Sequence, residues 1–185
     1  MGSEEYRLDG EFHNPNGVAF KQWGRSGQLE EEQYRLHGNL HNPNGVASKS
    51  WYDNGKRESE EYWLNGDLHN ENGISSKNWF DNGQIRIERY FLDGKLHNEN
   101  GFAFKSWYEN GQIEEESYYI DGKRHNPNGV AYKFYENGQI ETEQYYLDDK
   151  ELTKEQFDNR NKPKPKPCDG KVVEVDGIKY KLKAI

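Results

Sequence analysis

Large apolar side chains alternate with charged and polar ones along most of this chain, and the alternation restarts at a fixed interval. In Phe102-Ala103-Phe104-Lys105-Ser106-Trp107-Tyr108, residues Ala103, Lys105 and Trp107 fall on one face of an extended segment. In the next run, Gln112 to Ile120, residues Glu114, Glu116, Tyr118 and Ile120 fall on one face in the same way. That second run is rich in Glu, but it lies between two Gly turns, carries neighbouring aromatics and has no 3.6-residue period. It therefore predicts a strand and not a helix. Asn-Gly or Asp-Gly follows each run, as in Glu109-Asn110-Gly111 and Asp93-Gly94, and these dipeptides adopt the geometry of tight hairpin turns at little cost. The predicted element is the antiparallel hairpin.

The hairpin recurs every 28 residues. Its marker is His-Asn-(Pro/Glu)-Asn-Gly, beginning at His13, His41, His69, His97 and His125. A fixed period of this length signals stacked supersecondary units, each of which buries its apolar face only against its neighbours. The series Lys21, Lys49, Lys77, Lys105, Lys133 and Glu32, Glu60, Glu88, Glu116, Glu143 predict cross-strand ion pairs. Beside them run Tyr6, Tyr34, Tyr62, Tyr90, Tyr118, Tyr145 and Trp23, Trp51, Trp79, Trp107, the last series ending in Phe134. The expectation is all-β: an elongated antiparallel sheet of five β-hairpin repeats with an aromatic ladder along it. The end units depart from the pattern as caps should. Gly24-Arg25-Ser26-Gly27 stands at the first Asn-Gly turn, the fifth unit is one residue short before Gly138, and Asp148-Asp149 replaces Asp-Gly.

After the repeats, over residues 4–150, the pattern changes. Residues 151–161 predict a short helical segment capped by Thr153, residues 162–168 a Lys/Pro linker, and residues 169–185 a C-terminal hairpin. A lone two-stranded hairpin is marginal, so this one is expected to dock on the repeats, pair with another copy in a homodimer, or meet a partner.

Composition sharpens this reading. Only 31% of residues are hydrophobic and mean hydropathy is -1.30, yet 14% are aromatic at fixed phase, which argues for a folded, thin structure with a core of aromatic rings. Net charge is -8, with 9 Lys/Arg against 6 Asp/Glu after residue 150; residues 1–150 keep 16 against 27, a net of -11. An acidic body disfavours direct nucleic-acid binding and anionic membranes and favours a protein partner with a basic surface. One cysteine, Cys168, excludes an internal disulfide framework, and no signal peptide or bilayer-spanning run stands out, so a cytoplasmic location is expected.

Candidate chemistry is sparse. Single histidines one repeat apart lack the clustering a metal site needs, and each is expected to hold its own turn. The carboxylates recur in every unit on open surface, whereas an acid–base pair needs one site with contrasting environments. Neither a nucleophile constellation nor a phosphate loop stands out, and Cys168 reads as an ordinary exposed thiol. The expectation is a non-enzyme without cofactor or metal. The candidate binding residues, for protein or ligand, are Trp23, Trp51, Trp79, Trp107, Tyr34, Tyr62, Tyr90, Tyr118, Glu32, Glu60, Glu88 and Glu116.

The stretch Tyr-x-(Leu/Ile)-Asp-Gly-Lys-x-His-x-x-x-Gly-x-Ala-x-Lys-x-(Trp/Tyr)-x-x-Asn-Gly, seen from Tyr90 to Gly111, resembles MORN repeats, in particular the bacterial and viral MORN-variant repeats often described as antitoxins. The resemblance covers about residues 4–150 and departs from the usual pattern in its longer period and the Asn-x-Asn-Gly insertion after each His. It implies elongated β-hairpin sheets used for protein contacts and, in some members, lipid headgroups, against which the acidic body stands. The functional expectation is a protein that binds and masks another protein, as an antitoxin or a phage-encoded inhibitor of a host defence protein acting in the host cytoplasm. The rival expectations are a sponge for nucleotide-like ligands and a structural scaffold.

Overall fold

Backbone pairing joins the repeats into one antiparallel sheet whose strands follow one another in sequence order. The computed structural model describes residues 2–162 and 170–183 and divides the chain into two units, 1–152 and 153–185. The first unit holds a 12-stranded sheet. Each repeat supplies one strand carrying the periodic lysine (Phe20–Trp23, Ser48–Trp51, Ser76–Trp79, Phe104–Trp107, Tyr132–Glu136). It supplies a second carrying the periodic glutamate (Leu29–Gln33, Arg57–Glu61, Ile85–Arg89, Ile113–Ser117, Gln139–Leu147). Short strands Gly2–Glu5 and Lys150–Leu152 close the two edges.

Register places the two charge series directly opposite each other. Glu32 pairs with Lys21 and Lys49, Glu60 with Lys49 and Lys77, Glu88 with Lys77 and Lys105, and Glu116 with Lys105 and Lys133. A row of alternating charge thus crosses the sheet from Glu4 to Glu143. The turns explain this register. Asp93-Gly94 and its equivalents place both residues at positive φ, 48° and 73°, the type I′ geometry that matches strand twist. In the Trp-x-x-Asn-Gly turns only the glycine is left-handed, 83° at Gly111, as in a hairpin with a glycine bulge. The fifth unit, one residue shorter, turns on Asn137-Gly138 with both residues at positive φ instead.

Several details differ from the sequence pattern. The Glu strands of the first four units end before the periodic tyrosine, and the following residues form separate two-residue ladders such as Tyr119–Ile120 with Lys123–Arg124. A bulge opposite each Trp ejects one residue of the Glu strand, so Glu114 does not share the face of Glu116 and accepts a bond from Ser106 Oγ at 2.9 Å on the other face. The Trp series continues into Tyr135 and not Phe134. Tyr135 lies opposite Ile140 as Trp107 lies opposite Ile113, and its hydroxyl donates to Glu116 Oε2 at 2.8 Å. Each histidine holds the next unit's turn, not its own: the Asp121 N–H donates to His97 Nδ1 at 3.2 Å, and the Asn65 N–H to His41 Nδ1 at 3.1 Å.

The fully buried core is small, not aromatic. Ala19, Ala47, Ser75, Ala103 and Ala131, one per unit, have no exposure, while Trp23, Trp51, Trp79 and Trp107 are half-buried. Two strands in one sheet cannot cover both sides of an indole. The alanine column is covered because the preceding loop is fastened beside it: Asn98 Nδ2 donates to the Phe102 carbonyl, and its Oδ1 accepts the Asn100 N–H. Large residues are excluded there by lack of room.

In the second unit, helix Lys154–Asn159 begins with a capping box between Thr153 and Gln156, and Phe157 is buried. The hairpin Val172–Val175 with Ile178–Lys181 pairs Val173 with Tyr180 and Val175 with Ile178, and these side chains are exposed. The Lys/Pro linker beyond Lys162, including Cys168, lies outside the described residues.

Two outcomes are expected. Ala103→Leu should destabilise the array by about 1–3 kcal/mol through overpacking, read from the denaturant midpoint; an unchanged midpoint would show that the column has room. Burial and then the bond to Glu116 push the Tyr135 hydroxyl up to about 12. Its folded value exceeds the unfolded value of about 10, so its stabilising contribution is complete below pH ~10 and fades as pH rises towards ~12. Phenolate absorbance should show a component titrating near pH 12 that Tyr135→Phe removes.

Candidate binding surfaces of the repeat sheet

Alternation gives the sheet two faces of different electrostatic character. On the first, Lys21 Nζ and Lys49 Nζ flank Glu32 at 3.6 and 3.8 Å, Lys77 meets Glu88 at 2.8 Å, and Lys105 meets Glu116 at 3.4 Å. The glutamate side chains keep only 11–17% exposure in these pairs. Enclosure strengthens each pair relative to an exposed one but also costs desolvation, so the row is close to charge-neutral. The tryptophans sit on this same face. The Arg57 guanidinium lies 4.5 Å from the Trp51 ring while reaching Glu60 at 3.3 Å, and Lys77 Nζ lies 5.7 Å from Trp79. Of the sequence-predicted residues, the four Trp and four Glu are therefore brought together as one surface.

The tyrosines take another place. Tyr62, Tyr90 and Tyr118 line three clefts between successive His-Asn-x-Asn-Gly loops, at the ends of the strands. Tyr34 occupies the equivalent position one unit earlier and donates its N–H to the Ala47 carbonyl. Tyr118 packs on Phe102 at 4.2 Å between ring centroids, with Lys105 and Lys133 Nζ 5.5 and 5.8 Å from the Phe102 ring.

The second face carries a feature that sequence patterning missed. A groove of about 760 Å³ is lined by Glu30, Glu31, Asp53, Glu58 and Asp81 with Gln22, Ser50 and Tyr52, and no Lys or Arg lines it. Glu30 accepts from Gln22 Nε2 at 3.2 Å and Glu58 from Ser50 Oγ at 3.0 Å. Both carboxylates are the residues ejected by the bulges opposite Trp23 and Trp51. Burial, then the Glu58 charge, raises the Tyr52 hydroxyl above the usual tyrosine range, and that hydroxyl donates to the Trp79 carbonyl at 2.7 Å. Further along the same face aromatic rings join the lining, with Phe80, Phe104, Tyr108, Tyr132 and Phe134 around about 490 Å³ beside Glu109, Glu114, Glu115 and Arg86. Counting residues between Lys49 and Glu60 and between Trp51 and Arg57 reveals the extra residue, which was the available sequence signal.

Among the described residues no three His, Cys, Asp or Glu side chains cluster as a metal site, and no helix is long and apolar enough to cross a membrane. His69 Nε2 instead lies 3.7 Å from Glu71, and its Nδ1 faces the Asp93 carboxylate at 2.8 Å.

Residues 103–121 and 127–148, which span parts of the fourth and fifth units, match the family model described as a MORN repeat variant. No curated protein and no solved structure is significantly similar to the chain. The matched stretches carry the same hairpins, bulges and loop fastenings as the units before them. Over these residues the chain is similar to MORN repeat variants, which supports a MORN-like reading of the array.

Proposed function

We propose that this is a non-catalytic protein that binds and masks another protein through a basic surface of that partner. The observation that supports the reading most is the carboxylate groove of the second face, where Glu30, Glu31, Asp53, Glu58 and Asp81 converge without a neutralising lysine or arginine among its lining residues. Glu32, Glu88 and Glu116 are already matched by lysines and Glu60 by Arg57, so the free negative charge available to a partner is better supplied by the groove. Trp23, Trp51, Trp79 and Trp107 with the tyrosine series are the anchors this reading assigns to a partner that also reaches the first face.

Masking suits this surface because an extended acidic surface can occupy a basic channel, such as the nucleic-acid path of a nuclease. In concrete form the protein is an antitoxin, or a phage-encoded inhibitor of a host defence protein, working in the cytoplasm. The exposed apolar side chains of the C-terminal hairpin, Val173, Val175, Ile178 and Tyr180, are the surface this reading gives to homodimer contact or to locking the complex.

Asp53 and Asp81 are exposed at the groove, so reversing them should leave the fold intact. The double variant Asp53→Lys, Asp81→Lys should weaken capture of a basic protein from source-cell lysate by about tenfold and flatten its salt dependence. A control with the same charge change, Glu11→Lys with Glu136→Lys, both exposed and outside the groove, should retain the capture. Equal retention by the groove variant would remove the groove from the contact.

A further inference from the structure

The three clefts between loops form a row with a fixed step, and that step selects a ligand geometry. His69 N–H donates to the Tyr62 carbonyl and Asn70 N–H to the Phe91 carbonyl; one unit later His97 bonds Tyr90 and Asn98 bonds Tyr119, all at 2.9–3.1 Å. Each unit therefore adds two hydrogen-bonded backbone lines at the level of the clefts as well as in the sheet. At about 4.7–4.9 Å per line the clefts repeat every ~9.4–9.8 Å. An extended β-strand presents equivalent side chains every ~6.7 Å and matches poorly. A polyproline II helix, with three residues per turn and a rise of ~3.1 Å, presents them every ~9.3 Å.

The chemistry of the clefts fits the same ligand. Their volumes are about 450, 680 and 470 Å³, and Tyr62, Tyr90 and Tyr118 supply an aromatic surface in each. Among the described residues no intramolecular hydrogen bond engages these three hydroxyls, whereas Tyr6, Tyr52, Tyr108 and Tyr135 all donate internally. A polyproline II helix has no internal hydrogen bonds, so its carbonyls accept from outside donors, and aromatic grooves are a known mode of reading it. The walls shared by adjacent clefts carry Glu71 and Glu99, 74% and 78% exposed, each at long range from a histidine Nε2, 3.7 and 3.9 Å. Those carboxylates ask for a cation once per turn.

We infer that the row of inter-loop clefts binds a proline-rich segment of another protein in the polyproline II conformation, with Lys or Arg at every third position. The site lies apart from the carboxylate groove and does not depend on it.

The full-length protein should be titrated calorimetrically with acetylated (Pro-Pro-Lys)4 amide and with an isomeric 12-residue peptide whose lysines are grouped in pairs. The three-residue period should bind at least roughly fivefold more tightly. Tyr90→Phe, which keeps the ring, should weaken it, and Glu71→Gln with Glu99→Gln should reduce its salt dependence. Asp53→Lys with Asp81→Lys should leave it unchanged, which separates this site from the groove. Equal affinity for both peptides, or no heat from either at about 1 mM, overturns the inference. So does concentration-dependent self-association that the Glu71→Gln, Glu99→Gln variant abolishes, because the clefts would then belong to a second copy of the chain.

Discussion

No 28-residue unit of this chain can satisfy its own backbone. A hairpin of one lysine strand and one glutamate strand leaves a row of N–H and C=O groups open on each side, and those groups are met only by the next unit. The same dependence operates beyond the sheet. The Asn98 N–H bonds the following unit's Tyr119 carbonyl, the Gly122 N–H bonds back to the Leu96 carbonyl, and the His97 ring receives the Asp121 N–H. Each unit is thus tied to its neighbour at the strands, at the loop and at the turn, and the step between units is set by backbone pairing more than by side-chain size.

That constraint explains a polar protein that still folds. Because pairing fixes the step, the side chains need only be compatible with it. The interior requirement reduces to small residues, the Ala or Ser column with Ser76 and Ser117 buried near it, while the rest of the sheet tolerates Lys and Glu as long as they alternate. The ion row does not drive folding, since half-buried pairs gain little net energy over water. It specifies register, because sliding one strand by two residues would set each Glu beside an indole or an apolar position instead of between two lysines, and sliding by one would move the whole series to the other face. Ser75 shows how far the small column can vary: its hydroxyl both donates to the Phe91 carbonyl and accepts the Phe91 N–H, so a polar atom is buried there with its bonds satisfied.

The parts of this structure legible in the sequence are those set by short-range rules. Asn-Gly and Asp-Gly gave the turns, period-two alternation gave the Lys and Glu partners, and Thr153 with Gln156 gave the helix start. What was not legible depends on one-residue shifts or on the neighbouring unit. The bulge at Glu114 reverses its face, and the same bulge in earlier units builds the carboxylate groove from Glu30 and Glu58, residues that alternation had scattered. Tyr135 was missed as the end of the tryptophan row although it stands 28 residues after Trp107, because Phe134 looked like the better aromatic substitute. The histidines were read within their own repeats, while their bonds run 24 residues ahead, a separation that no local pattern reports. Aromatic abundance suggested a ring-built core, yet a sheet whose strands pair edge to edge leaves its large rings half covered and hides only what lies under the fastened loops.

A periodic scaffold of this kind also separates two ways of recognising a partner. Features that recur from unit to unit, such as the clefts at Tyr62, Tyr90 and Tyr118, are suited to reading something that is itself periodic, because they stand in equivalent places at a fixed step. Features that break the repeat can read something unique. The second face is lined by carboxylates without Lys or Arg around Glu30 to Asp81, and around Phe80 to Phe134 it adds a cluster of rings and Arg86 to its carboxylates, so its two halves are not equivalent even though the backbone beneath them is. The substitutions that create this difference, Ser48 against Phe104 and Ser50 against Phe134 among them, lie at positions where the side chain projects from an unchanged ladder. Specificity can therefore change one strand at a time without disturbing the pairing that holds the array together.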